Sequence, residues 1–411
     1  MNVTIEQDEQ QAAEFVIKLG SALHAHDTST HDLELSISRM IDRLGLTGHF
    51  FAQPTGLFIS IGRLGKQQTS LVRVEPGEVN LEKLELLNEL ADRVAAGLVL
   101  PADGVREVDA IVNAPSRYGP FLMLLSYGIA SAAVCRFLGG GWREILASGC
   151  IGVLIGVLAQ LFSRSKESSF LFEPAAAAIA SSLSIIIAAK MMPISLYDTI
   201  LAGVISAIPG MMLTTAMFDL ATRNLVAGTA RLTWAVLIFV EVIFGVALGY
   251  QTQRLFGGTL PAVGPVPLAA WTAWLALIVA PLALAVRFKA RPRDFGWVML
   301  TCVLAYGGSR LGASVLDWRF GGFIGAFAAS VAGSIFTRLT NCPATVVVAP
   351  AIVLLVPGTI GFGSVSDFLS NNILRGVEAA FDMVLVAISI VIGVLIARVL
   401  LPRGEQVSRR R

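Results

Sequence analysis

A Pro-Gly step interrupts an apolar run twice in this chain, at Pro209-Gly210 and at Pro357-Gly358. Each run is otherwise long enough to cross a bilayer, which needs ~20 apolar residues. Pro removes a helix donor and clashes with the preceding turn, and Gly frees the backbone. In hydrocarbon such a break strands backbone polar groups, so it survives only where protein or a wet cavity satisfies them. The steps belong to matching strings. Asp219, Asn224 and Gly228 follow the first; Asp367, Asn372 and Gly376 follow the second. The differences 357 − 209, 367 − 219, 372 − 224 and 376 − 228 all equal 148. Paired breaks at matching places in two halves point to the binding site of a transporter.

The surrounding sequence extends the match. Ten apolar segments run over about 119–138, 143–163, 170–190, 194–218, 230–255, 267–288, 294–313, 320–338, 343–363 and 378–401. Shifting the first five starts by 148 reproduces the second five within three residues. A five-span unit is therefore duplicated. An odd number of spans makes the second copy enter from the opposite face, so the repeats are expected to be inverted. Mean hydropathy of +0.72 agrees with a membrane protein. The near-neutral charge of +2 argues against a nucleic-acid partner. The cysteines, Cys135, Cys150, Cys302 and Cys342, show no metal-ligand spacing and read as buried free thiols.

Residues 1–116 differ in character. Apolar residues at helical spacing mark Glu14 to His26 and Thr28 to Leu44. Gly48–Gln53, Gly56–Gly62 and Ser70–Glu75 read as short strands bounded by turn residues. Asn80 can cap a helix from Leu81 to about Leu98, and a short helix near Val105 to Ile111 leads to the first span. The expected fold is a polytopic α-helical membrane protein. Ten transmembrane helices form two inverted five-helix repeats, at 117–258 and 259–403, after a small N-terminal α+β cytoplasmic domain. Residues 404–411 form a basic tail. Lys and Arg crowd one set of loops (Arg164, Lys166, Arg223, Arg231, Arg287 to Arg293, Arg338), which places both termini in the cytoplasm. The polar N-terminus does not read as a signal peptide, so none is expected.

The candidate site gathers at the breaks. Pro suits the first turn of a helix, so each break can start a half-helix whose free N–H groups attract a carboxylate. Pro209, Gly210, Pro357 and Gly358 are the expected substrate-binding backbone. Thr214, Thr215, Thr359 and Ser364 offer hydroxyls that either bind substrate or back-bond to their own helix. Glu241 lies within Leu237–Phe244, with no charge in the flanking turns. A centred carboxylate costs about 3 kcal/mol or more to insert, so it is read as a proton carrier, the alternative being a protonated carboxyl hydrogen-bonded to a neighbouring helix. Asp382 is the next candidate for ion coupling, followed by Asp219 and Asp367, for which an interfacial carboxylate with a structural partner is the alternative; Asn224 and Asn372 are polar repeat positions open to the same two readings. Glu173 reads as a first-turn acid favoured by the helix dipole. The four histidines, His24, His26, His31 and His49, fall in the N-terminal region, where solvated helix polarity is favoured over a metal or hydrolytic site.

Ala207 to Thr222 (AIPGMMLTTAMFDLAT), Gly228 to Leu232 (GTARL) and Val356 to Gly363 (VPGTIGFG) resemble the threonine/serine exporter (ThrE) family of bacterial inner membranes. Leu33-Glu34 with Arg39, Pro54-Thr55, Arg73-Val74 and Asn80 to Leu84 are similar as well. The resemblance runs from about residue 12 to 402. It implies proton-driven export of small hydroxy amino acids, and a relation to two-chain dicarboxylate exporters whose halves are fused here. The family pattern often has an acidic residue at the positions of Asn224 and Asn372; both are amides in this chain.

The partners expected are a small carboxylate-bearing solute, protons and the lipid bilayer, with no cofactor, no metal and no catalytic residue. A homo-oligomer is left open. A dicarboxylate substrate ranks second, because no Arg or Lys sits mid-helix. A rival of another class is a membrane-tethered hydrolase using the N-terminal histidines. The N-terminal domain is expected to gate or dock the inner face.

Overall fold

The computed structural model describes residues 2–26, 29–62, 65, 67–75, 77–256, 263–355 and 373–401. In the N-terminal region the alternating stretches pair as an antiparallel sheet, β1 (Gly48–Gln53), β2 (Gly56–Ile61) and β3 (Gln68–Arg73), in that order. Pro54-Thr55 makes the two-residue turn, with Gln53 opposite Gly56. Phe50, Ala52, Leu57 and Ile59 face a core built by α1 (Asn2–Ala25), α2 (Thr30–Arg43) and α3 (Leu81–Ala95), and α4 (Pro101–Asn113) packs on α1 and α3. The Ser29 hydroxyl caps α2 by accepting from the Asp32 N–H at 3.3 Å, and Asn80 caps α3 through the Lys83 N–H at 3.0 Å.

The apolar segments become α5 (Pro120–Phe137), α6 (Trp142–Phe162), the short α7 (Lys166–Ser169), α8 (Phe172–Lys190), α9 (Leu196–Val204), α10 (Gly210–Ala221) and α11 (Leu225–Tyr250). The second half gives α12 (Thr272–Arg287), α13 (Phe295–Val315), α14 (Gly321–Thr340), α15 (Thr345–Leu355) and α16 (Ile373–Leu400). Among the described residues seven helices are long and apolar enough to cross a membrane. Three of the ten expected spans are shorter. The fourth is cut at the Pro-Gly step into α9 and α10. The sixth is the 16-residue α12, which starts after Pro265 and Pro267. The ninth is seen only as α15 before it leaves the described residues.

The two halves repeat their packing. α8 lies on α9 and α11, and α14 lies on α15 and α16. In both pairs the helices run parallel. Gly245 of α11 meets Pro174 and Ala177 of α8, while Gly249 meets Ala178 and Ser181. Gly322 of α14 meets Ser389 and Ile390 of α16, while Gly393 meets Phe323 and Phe327. Gly245 and Gly393 are themselves one repeat apart, 393 − 245 being 148. The turns after α5 and α12 also agree. The Gly140 N–H bonds to Cys135 O at 2.9 Å and the Ala290 N–H to Ala285 O at 2.8 Å, each closing a helix C-terminus behind a residue of positive φ, Gly139 and Lys289.

Four apolar clusters hold the molecule together. The largest joins the N-terminal core to the second half: Phe15, Leu33, Leu57 and Leu87 belong to the same cluster as Val298, Cys302, Phe336 and Val347. A second lies within the first half, on α6, α8, α9 and α11. A third packs Leu213, Met217 and Phe218 of α10 against Ala326 of α14 and Ala387, Ile390 and Val391 of α16. The fourth puts Ala133 of α5 on Ala276 and Ala280 of α12. All four cysteines are free; Cys150 faces outward from α6, contrary to the buried thiol expected there.

Candidate functional site

The first Pro-Gly step breaks the backbone. α9 ends at Val204, and Pro209 (φ −82°, ψ 43°) stands at the N-cap of α10, with no side chain capping the N–H groups that follow. Pro cannot donate and its ring opposes continuation of α9, so the chain restarts as a new helix from Gly210. α9 packs within the first half, whereas α10, lying chiefly on α11, also sets Leu213 and Met217 against α16. Ile352 and Leu355, at the end of α15 just before the second Pro-Gly step, border the same cluster. Residues after one break and residues before the other thus share one apolar neighbourhood. Pro357, Gly358, Thr359, Ser364, Asp367 and Asn372 lie outside the described residues.

The hydroxyls after the first break are engaged locally. Thr214 donates to Gly210 O at 3.1 Å and Thr215 to Met211 O at 3.0 Å. Such back-bonds are the alternative to substrate contact open at the sequence level. Asn224 closes α10, its N–H bonding to Asp219 O at 2.8 Å, and its side chain donates to the Thr222 hydroxyl at 3.3 Å.

Asp219 is fully buried at the end of α10. Arg231 of α11 pairs with its carboxylate at 3.3 Å. The Thr30 hydroxyl of α2 donates to the same oxygen at 3.3 Å, and the first backbone N–H groups of α2 face it. A helix N-terminus is a fitting neighbour for a carboxylate. Beside it Asp32 forms a two-pronged pair with Arg398 of α16, at 2.7 and 2.9 Å. Arg398 also lies over the Phe218 ring, which His31 meets edge-on. The tip of α2 is therefore wedged between α10, α11 and α16. The sequence held no sign of this contact, because its partners lie about 190 residues or more apart.

Glu241 is half-buried on α11 and, among the described residues, has no ion-pair partner. Glu173, in the first turn of α8 beside the Pro174–Gly245 contact, lies within electrostatic range of it. Asp382 differs: Arg319, in the turn before α14, pairs with it at 2.5 Å. Ser389 donates to the carbonyl of that same arginine at 3.1 Å.

A second dock joins α3 to the second half. The Leu81 and Glu82 N–H groups at the start of α3 bond to the carbonyls of Phe288 and Lys289 at 2.9 and 3.1 Å, so one helix caps the end of α12. Glu85 is fully buried. It pairs with Arg291 at 3.2 Å and with Arg293, while Glu89 takes Arg291 at 2.9 Å. The Cys342 thiol donates to Glu85 at 2.7 Å. Burial, reinforced by Glu85, pushes that thiol up to about 11. Glu85, Glu89 and Cys342 are the one grouping of metal-ligand side chains among the described residues, and the arginines already occupy its carboxylates. The first half builds the matching junction by itself. Glu144 of α6, buried, accepts from the Ser195 N–H at the start of α9, at 3.0 Å. The histidines do not converge: His24 is buried against Pro54 O at 3.1 Å, not solvated as expected, and His31 meets Phe218.

A family model described as "Putative threonine/serine exporter" matches residues 14–253, and a second, described as "Threonine/Serine exporter, ThrE", matches residues 273–400. The chain belongs to the threonine/serine exporter family. Among curated proteins it is similar to pheromone-regulated membrane protein 10 of Candida albicans, 27% identical over 373 residues, covering 88% of this chain and 34% of that protein. The protein of the same name in Eremothecium gossypii is 26% identical over 410 residues, covering 95% of this chain and 54% of that one. The chain thus spans between a third and about half of the length of these relatives. No solved structure matches. Family membership and the apolar helices make this a multi-pass membrane protein of an exporter family.

Proposed function

We propose that the chain is a proton-coupled secondary exporter of small hydroxy amino acids, threonine and serine, in a bacterial inner membrane, with both termini cytoplasmic. The observation that carries this reading is the broken segment at Pro209-Gly210, set beside the end of α15 in a chain of the exporter family. Uncapped N–H groups at the start of α10 suit a substrate carboxylate. The ten spans form two inverted repeats, supported by the recurrence of the parallel helix pairs and their tight glycines. Alternating access then moves one repeat against the other. Glu241 carries the coupling proton, as a carboxyl set within an apolar span with no ion-pair partner among the described residues.

The test is counterflow in proteoliposomes with labelled threonine, serine and succinate, with and without a pH gradient. Threonine and serine are expected to exchange, and succinate not. Trans-stimulation by none of the three removes the substrate assignment; by succinate alone, it replaces it. Glu241→Gln is expected to keep exchange and lose gradient-driven accumulation. Unchanged pH coupling in that variant discards the role of Glu241.

A further inference from the structure

We infer that the tip of α2, Thr30 to Asp32, is the inner latch of the transport path; this rests on the exporter reading above. The N-terminal region is attached in two unlike ways. Through α3 it shares a continuous apolar core with α13, α14 and α15, with Glu85 fully buried among arginines. That attachment makes the region one rigid body with the second half, since packed cores resist sliding. Through the α2 tip it holds α10 by a few contacts of another kind: the Thr30–Asp219 hydrogen bond at 3.3 Å and the His31–Phe218 ring contact at 6.2 Å between centroids. α10 is the half-helix that begins at the break. It packs most extensively on α11 of the first half and also rests on α16. A motion of the first half against the second therefore slides α10 along α16 and parts α2 from Asp219 and Phe218, while α3 stays fixed. Thr30 is buried, and Asp32 beside it pairs with Arg398 of α16, so the tip lies between the C-terminal end of α10 and α16. Polar contacts at a helix end can open and remake in each cycle, as lids do.

The experiment pairs His31→Cys with Phe218→Cys in the full-length protein in proteoliposomes. A short bifunctional methanethiosulfonate then ties the two positions reversibly. The tied protein is expected to lose transport by about tenfold or more and to regain it on reduction. Equal transport by tied and reduced protein overturns the latch. Failure of the unsubstituted protein to move threonine, serine or succinate is a different result and overturns the exporter reading instead. A second measurement needs no substitution: amide exchange over residues 30–33 in lipid nanodiscs, with and without threonine and serine. Faster exchange at the tip, with α3 unchanged, is the expected result. Exchange at the tip that does not respond to either solute, in protein that transports it, overturns the latch independently of the double variant.

Discussion

Glu85 shows what one residue contributes. It has no water contact and answers to Arg291, itself nearly buried, and to Arg293. Breaking a buried pair by removing one partner leaves an uncompensated charge. Glu85→Ala is expected to destabilise the protein by about 3 kcal/mol. The same variant frees Cys342, so maleimide labelling of that thiol should accelerate; an unchanged labelling rate contradicts the dock. His26, at the end of α1, adds a pH dependence to the same region. Burial lowers its pKa below the usual 6.5, the Glu78 backbone offsets part of this, and Lys83 and Lys289 lower it further. A histidine whose folded pKa is depressed binds its proton more readily in the unfolded chain. Stability is then complete above about pH 6.5, falls as the pH drops through that value, and levels off below the lowered folded pKa. Thermal unfolding at pH 7.5 and 5.5 should show this slope, and His26→Asn should flatten it. The sequence suggested neither role. Glu85 looked like any acid on an amphipathic helix, because its arginines are more than 200 residues away.

At the scale of elements, the helix pairs α8–α11 and α14–α16 depend on close backbone approach. A Cβ at Gly245 would sit 2.3 Å from Pro174 O, and one at Gly393 would sit 2.4 Å from Phe323 O. Both obstacles are backbone carbonyls, which cannot rotate away as a side chain can. Gly245→Ala and Gly393→Ala should each cost about 1–3 kcal/mol. Thermal unfolding in detergent measures this, and two neutral substitutions would show that the pairs are not tightly seated. The strands and the Asn80-capped helix were legible in the sequence because turn residues and caps act locally. The break at Pro209 was legible because the Pro-Gly step removes a donor and frees the backbone at one place, whereas Pro281 and Pro350 stand alone inside α12 and α15. Glycine pairing was not read, since a lone glycine in a membrane helix is common and its meaning lies in the helix it touches.

For the whole molecule, the duplication was legible as an offset, and the packing of the two halves repeats it. The asymmetry was not. Glu144 seals the start of α9 from within the first half, whereas Glu85 reaches the corresponding junction of the second half from the N-terminal region. A sequence repeat cannot register a part that one copy borrows from outside the repeat. The α2 tip and the α3 dock build the N-terminal region into the membrane part.

That borrowing sets an order of assembly. Glu89 leaves the ribosome 202 residues ahead of Arg291. At ~5–20 residues per second this amounts to roughly ten to forty seconds. Throughout that interval Glu85 and Glu89 lack the arginines they pair with, and the large cluster lacks its membrane-side wall. The nascent N-terminal region must wait, incomplete, until the translocon has delivered the turn between α12 and α13. A chain halted before that point would display an unfinished apolar surface to cellular quality control.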